Sequence, residues 1–306
     1  MISVEADHLT KRFGKTSAIT NLSFQVKAGE LFGFIGPDGA GKSTLFRILT
    51  TLMIPDEGRA TVSGLDVVRD FRELRKRLGY MPGRFSLYQD LSVEENLQFF
   101  ASVFGTSIQE NYDLIRDIYV QIEPFKKRRA GQLSGGMKQK LALSCALIHK
   151  PEVLFLDEPT TGVDAVSRQE FWHMLKRLQT KGITIIVSTP YMDEAGLCDR
   201  IALIQSGKIL DIDTPADVVG KFRSPLYAIK SRKTYLLMEQ LRGSAETQSI
   251  FPFGEFLHYT DRRPGVSEQQ LRDELRTEGF DDVEVMRTEP TIEDSFMALM
   301  EQHETQ

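Results

Sequence analysis

The stretch Gly36-Pro37-Asp38-Gly39-Ala40-Gly41-Lys42-Ser43-Thr44 constrains the fold more than any other part of the chain. It follows the apolar run Leu31-Phe32-Gly33-Phe34-Ile35 and precedes Leu45-Phe46-Arg47-Ile48-Leu49, whose apolar spacing is that of a buried helix. Strand, glycine loop and helix, in that order, is the setting a phosphate-binding loop requires. Glycines at 36, 39 and 41 have no Cβ, so backbone N–H groups can turn inward and approach phosphate oxygens closely. The helix N-terminus adds the positive end of its dipole. Lys42 is placed to reach the β- and γ-phosphates as a point charge, and the Ser43 hydroxyl to ligate Mg²⁺. The expectation is a chain that binds a nucleoside triphosphate.

A second strand signal, Val153-Leu154-Phe155-Leu156, ends in Asp157-Glu158. An apolar run leading to an acidic pair is how phosphate-loop enzymes hold Mg²⁺ and place a base. Asp157 would support the ion through its water shell, and Glu158 would polarise the attacking water. Upstream, Leu133-Ser134-Gly135-Gly136-Met137-Lys138-Gln139 sets a serine and two glycines at a helix start, a second anion-binding N-terminus. Phe13 sits beside a turn at Gly14. A flat aromatic face there can stack on adenine, although packing is the commoner use of such a residue.

The chain has 306 residues, enough for two or three compact units, and its hydrophobic content of 41% is ordinary for a globular protein. A net charge of −5 argues against a nucleic-acid-binding surface as the main business. The run Lys126-Lys127-Arg128-Arg129 reads as a solvated face. Cys145 and Cys198 are too few for a disulfide framework or a metal site, which points to a reducing compartment. No apolar run approaches the ~18 residues that span a bilayer, and the N-terminus lacks the pattern of a signal peptide. Any membrane role would therefore be exercised from the cytoplasmic side, through a partner.

Taken in order, Ile2–Ala6 and Leu22–Val26 read as strands around Gly14, and Ala60–Ser63 as a short strand after the turn at Pro55-Asp56-Glu57-Gly58. Phe71–Leu78 reads as a helix leading to a strand at Leu78–Met81. From about residue 84 to 151 the pattern is mostly helical, an inserted subdomain with helices at Val93–Phe104, Tyr112–Ile122 and Met137–Ile148. A helix at Arg168–Gln179 and strands at Ile183–Val187, Ile201–Ile204 and Lys208–Leu210 complete an α/β unit of residues 1–220 with a largely parallel sheet. Residues 221–306 form a small α+β appendage. Leu226–Lys230, Phe253–Tyr259 and Asp282–Met286 are its strands, Leu236–Leu241 and Glu268–Glu278 its helices, and Thr291 caps a terminal amphipathic helix.

Phosphate loop, serine–glycine motif and acidic strand, in this order, resemble the ATP-binding-cassette (ABC) ATPases over about Ile2 to Val219. The subtype is similar to the ATPase of a bacterial ABC-2-type exporter whose membrane-spanning permease subunits are separate chains. The resemblance implies a P-loop NTPase fold, RecA-like and mostly parallel with an antiparallel β part. It implies ATP and Mg²⁺ as ligands, and a peripheral place on the inner face of the cell membrane. It also implies a head-to-tail dimer, in which ATP on the Gly36–Thr44 loop of one subunit is covered by Leu133–Met137 of the other. Asp164 matches the family's aspartate at the dimer seam, and Phe13 its adenine-stacking aromatic. Substrate selection, in this architecture, belongs to the permease.

Two departures bear on chemistry. Gly83 stands after Tyr80-Met81-Pro82 where the family has a glutamine that contacts Mg²⁺ and water and links to the membrane subunit; Gln89 is displaced along the chain from that place. Pro190 follows Val187-Ser188-Thr189 where the family has a histidine that donates to the γ-phosphate and orients the catalytic glutamate. Proline offers neither a side-chain donor nor a backbone N–H. Removing one aimed donor commonly costs about two to three orders of magnitude in rate. Asp38, where asparagine is commoner, is a milder change. The combination predicts a site that binds ATP well and turns it over slowly. A complete signature beside a depleted pocket suits a heterodimer with one fast and one slow site better than a homodimer. The alternatives are a regulatory ATP-binding subunit without useful turnover, and a soluble superfamily member acting on ribosomes or DNA.

Overall fold

Burial of a flat, apolar strand on both faces organises the first compact unit, Met1–Pro215 of a computed structural model that describes residues 1–304. The chain enters through β1 (Ile2–Phe13) and β2 (Thr16–Lys27), then β3 (Leu31–Ile35), the glycine loop and α1 (Lys42–Leu49). β4 (Glu57–Val62), β5 (Leu65–Asp66), α2 (Phe71–Leu74) and β6 (Leu78–Met81) come next. The helical part comprises α3 (Val93–Val103), α4 (Tyr112–Tyr119) and α5 (Gly135–Leu147). The chain then returns through β7 (Val153–Asp157), α6 (Ala165–Thr180), β8 (Thr184–Thr189), β9 (Arg200–Gln205) and β10 (Lys208–Asp213), and α7 (Pro215–Gly220) carries it past the end of this unit.

Two sheets result. β2-β1-β4-β5 is antiparallel, and a six-stranded sheet runs β10-β9-β3-β8-β7-β6 with only β10 antiparallel to its neighbour. Every residue of β3, β7 and β8 is buried, which is why these strands read as continuous apolar runs rather than alternations. Between the sheets lies a line of phenylalanines in edge-on contact, with Phe24–Phe34, Phe34–Phe46 and Phe46–Phe155 ring centroids at 4.9, 6.1 and 5.8 Å. Phe46 thus anchors α1, and with it the loop that precedes α1. The β1–β2 hairpin is longer than the sequence segments announced, because register shifts carry the pairing through its polar middle to the Gly14 turn. The expected helix at Phe71–Leu78 stops at Leu74, because Leu78 already pairs with Val153 in the parallel register of β6 with β7. α3 starts on a capping box, with Glu95 N–H donating to Ser92 Oγ at 3.2 Å and Ser92 N–H to Glu95 Oε2 at 2.7 Å.

The second unit starts at Ala216, a few residues ahead of the boundary at 220 expected from sequence. It holds β11 (Leu226–Lys230), α8 (Thr234–Gly243), β12 (Thr247–Phe253), β13 (Phe256–Asp261), α9 (Glu268–Thr277), β14 (Glu284–Thr288) and α10 (Ile292–Glu304). Its sheet order β12-β13-β11-β14, antiparallel throughout, makes it a ferredoxin-like β-α-β-β-α-β unit. Phe253–Tyr259 is therefore not the single strand expected. Gly254, at φ 59°, turns the chain back so that Pro252 faces Leu257 across a hairpin. Helices α8 and α9 bury Leu237, Leu241, Leu271 and Leu275 in one core with Tyr227, Ile229, Leu257 and Tyr259. Thr291 caps α10 as expected. Its N–H donates to Asp294 Oδ2 at 2.8 Å, and Asp294 N–H donates back to Thr291 Oγ1 at 3.3 Å. Asp294 also meets buried His258 at 2.6 Å. Among the described residues no helix is long and apolar enough to cross a membrane.

Because Phe46 is wholly buried between Phe34 and Phe155, Phe46→Ala is expected to cost about 3–5 kcal/mol of unfolding free energy, read by urea denaturation.

Candidate functional site

The glycine loop is seated by contacts that only glycine allows. A Cβ on Gly36 would lie 2.1 Å from Ile204 O, and one on Gly41 would lie 2.4 Å from Ala18 O. Gly207 approaches the same Ala18 carbonyl, and its N–H donates to Ala40 O at 3.0 Å. The loop is thereby clamped between the β1–β2 hairpin and the β9–β10 turn. Gly39 (φ 80°) and Gly41 (φ 102°) lie in the left-handed region, and the space where a Cβ of Gly39 would stand is open. Asp38 and Gly39 are exposed at the tip, between half-buried Pro37 and buried Ala40. Lys42 opens α1 and is only 3% exposed. Its Nζ donates to Gly36 O at 2.8 Å and to Pro37 O at 3.0 Å, from inside the loop. Ser43 and Thr44 follow it in the first turn of the helix.

The acidic pair faces this lysine. Glu158 Oε1 stands 3.3 Å from Lys42 Nζ, so the glycine loop and the acidic strand end belong to one site. Parallel pairing of β3 with β8, and of β8 with β7, sets the strand ends side by side and decides this. Ser188, on β8, fastens both acids. Its Oγ donates to Asp157 Oδ1 at 2.6 Å and accepts from Glu158 N–H at 3.1 Å. Sequence reasoning missed Ser188; its place on the strand adjoining Asp157 was the available signal. Glu158 has φ 49°, a left-handed conformation costing a non-glycine residue roughly 1–2 kcal/mol. Such strain persists where surrounding bonds over-determine it, which is common where a side chain must be aimed. Tyr80, half-buried at the end of β6, is pushed up to about 12 by burial and by the nearby Asp157 charge.

The two departures lie at this same end. A Cβ on Gly83 would meet Asp157 O at 3.0 Å and Glu158 Cβ at 3.7 Å, so position 83 borders the acidic pair and tolerates little bulk. Gln89 is held elsewhere, its carbonyl accepting from Gly131 N–H at 2.9 Å. Pro190 directly follows β8, and its neighbour Thr189 is fully buried.

The serine–glycine motif opens α5, with exposed Ser134 capping the helix by accepting from Met137 N–H at 3.4 Å. A Cβ on Gly136 would lie 2.9 Å from Ser167 Oγ, and one on Gly135 3.4 Å from Gly162 O, so the motif packs on the start of α6. Asp164 caps α6, accepting from Ser167 N–H at 3.0 Å, which holds its carboxyl below the usual range. Phe13 is half exposed at the hairpin tip, with Lys11 Nζ 5.8 Å from its ring centroid.

Residues 19–161, which include the loop, the serine–glycine motif and the acidic pair, match the family model described as ABC transporter. The chain is 43% identical over 217 residues to the probable multidrug ABC transporter ATP-binding protein YbhF of Escherichia coli (strain K12). That similarity covers 70% of this chain and 38% of that protein, so the chain spans well under half of that relative's length. It is 34% identical over 302 residues to the Nod factor export ATP-binding protein I of Rhizobium sp. (strain N33), covering 97% of each. The chain belongs to the ABC transporter family. Of solved ABC cassettes, a dimeric post-hydrolysis state of MJ0796 bound to ADP and Pi is similar with a TM-score of 0.62 and 25% identity. It covers 69% of this chain and 98% of that one.

On the β6 side of this ABC cassette an open groove of about 410 Å³ is lined by Leu52, Tyr80, Met81, Leu87, Phe100 and Phe104, among others. His149 lies in it, its Nε2 donating to Leu78 O at 2.9 Å and its ring stacked on Phe104 at 3.8 Å. Burial holds this imidazole below its ordinary value of 6.5. The fold therefore prefers neutral His149, while the unfolded chain takes up a proton first as pH falls through about 6.5. Stability is expected to fall from about pH 7.5 to about pH 5.5, with a smaller fall in His149→Gln, compared by urea midpoints.

Proposed function

We propose that this chain binds MgATP between the Gly36–Thr44 loop and the Asp157–Glu158 pair, hydrolyses it slowly, and drives the separate permease subunits of an exporter. The observation that carries the reading is the 3.3 Å approach of Lys42 Nζ to Glu158 within a glycine loop whose Gly39 face is open. Lys42 occupies loop carbonyls, and a triphosphate gives its ammonium a charged partner in their place. Backbone N–H groups from Gly39 to Thr44 bind and orient the phosphates; Ser134, Gly135 and Gly136 of a second cassette cover them; and Phe13 stacks on the adenine.

Glu158, held rigidly through its N–H, polarises the attacking water. Among the described residues no cluster of three His, Cys, Asp or Glu side chains could hold a metal by itself. That fits Mg²⁺ carried largely by the triphosphate, with Ser43 and Asp157 supplying the protein's share. When bound, the ion neutralises charge on the transferred phosphate.

Gly83 and Pro190 leave this pocket without two aimed side chains, which supports a slow site. The cassette then works best beside a second ABC ATPase subunit whose pocket is covered by Ser134, Gly135 and Gly136 of this chain, with Asp164 at the seam. Permease engagement is supported by the apolar groove at β6 and by exposed Leu52 and Val103 at 58% and 59%. The resulting place is peripheral, on the cytoplasmic face of the membrane.

Lys42→Ala is expected to abolish ATP binding, measured by calorimetry. Pro190→His is expected to raise kcat by about ten- to a hundredfold with little change in affinity. Brisk wild-type turnover that histidine does not improve would remove the slow-site reading. Val103→Glu is expected to leave the ATPase of the isolated chain intact while abolishing co-purification with the permease.

A further inference from the structure

The loops after β7 and β8 are joined by a buried side chain that neither phosphate binding nor water activation requires. Glu194, in the 3-10 turn Met192–Leu197, is 1% exposed. One of its oxygens accepts from the Thr160 hydroxyl at 2.7 Å, and the other accepts from the Thr189 hydroxyl. Thr160 and Thr189 are themselves 1% and 0% exposed. Thr160 lies just beyond Glu158, and Thr189 immediately precedes Pro190. Thr189 Oγ1 also accepts from Tyr191 N–H at 3.1 Å, so the chain is held on both sides of Pro190.

The start of α6 joins the same knot. The Arg168 guanidinium lies over the Tyr191 ring at 4.3 Å, and its Nη1 is 3.6 Å from Asp193 Oδ2. Arg168 Nε stands 3.8 Å from Glu194 Oε1, beyond hydrogen-bond length, and is buried without a hydrogen-bond partner among the described residues. One carboxyl group thus gathers the acidic strand's loop, the loop of the missing histidine and the helix capped by Asp164.

We propose that Glu194 is a positioning residue, which fixes the loop carrying Glu158 to the loop carrying Pro190 and so sets the aim of Glu158. This role rests on the proposed ATPase activity. Its physical reason is the left-handed backbone of Glu158, which needs restraint on both sides to persist. Ser188 restrains the N–H of Glu158, and Glu194, through Thr160, restrains the chain that leaves it. With no histidine at 190 to orient the glutamate, its aim depends on this tie.

The test uses the full chain in excess over radiolabelled MgATP, following phosphate release in a single turnover with ATP affinity measured beside it. Glu194→Gln keeps the side chain's size, but one oxygen that accepts a hydroxyl becomes an NH₂ group that cannot. Its rate is expected to fall about ten- to a hundredfold, with ATP affinity unchanged and the chain still folded at the assay temperature. Thr160→Val is expected to slow the rate in the same way, and the double variant to be no slower than Glu194→Gln alone, because both cut one tie. Glu194→Asp, shorter but still able to accept twice, is expected to recover part of the rate. An unchanged rate in Glu194→Gln, effects that simply add, or a loss that tracks lowered affinity or unfolding at the assay temperature would overturn the proposal. Wild-type chain that fails to bind MgATP would instead overturn the ATPase reading. Wild-type chain that binds but releases no phosphate would leave binding intact and remove the positioning role.

Discussion

Close backbone approach at Gly36 and Gly41 is the constraint on which the rest of the site depends. With the Ile204 carbonyl 2.1 Å and the Ala18 carbonyl 2.4 Å from where their Cβ atoms would stand, the loop can be gripped by two sheets only if both positions are glycine. That grip fixes the start of α1, and the phenylalanine line through Phe46 fixes its body. Lys42 then has one place to go. It is buried in the loop with its ammonium against Glu158. A buried ammonium without such partners would be costly, so the carbonyls and the carboxylate that hold it are what allow it to sit there.

The acidic end depends on β8, a strand that brings no charge of its own. Ser188 bonds to both Asp157 and Glu158, and Thr189 reaches Glu194. A sequence scan for acids, lysines and glycines passes over such hydroxyls, because serine and threonine in a strand ordinarily read as packing. Their weight comes from parallel register, which pairs Asp157 with Ser188 and Ile35 with Thr189. Position 83 shows the same effect of tertiary placement, since Gly83 lies close to the carbonyl of Asp157. What the sequence marks as an absent glutamine is, in space, a tight backbone contact.

Much of the first unit was legible because its strands and helices carry strong local signals. β3 and β7 are short apolar runs bounded by glycine or acids, and α5 and α6 open on Ser134 and Asp164, residues whose side chains cap them. Where reading failed, a non-local contact had won. The helix at Phe71 ends early so that β6 can join β7, and the β1–β2 hairpin extends through polar residues by register shifts. In the second unit one apparent strand is a hairpin, since Gly254-Glu255 between aromatic residues looks continuous until Gly254 takes a positive φ. By resemblance, Asp164 matches an aspartate at a dimer seam. Its visible work within the chain is to cap α6.

The sequence by itself determined that there is a glycine loop between strand and helix, an acidic strand end and a serine–glycine helix start. These come from residue types at fixed spacing, which local sterics and hydrogen bonding translate directly. Only the tertiary structure decided that Lys42 meets Glu158, that Ser188 and Glu194 fasten the acidic loop, and that the last third folds as a ferredoxin-like unit with the order β12-β13-β11-β14. Those facts are pairings between segments far apart in the chain. No local preference encodes which strand end will lie beside which, and that is what sets the chemistry within reach.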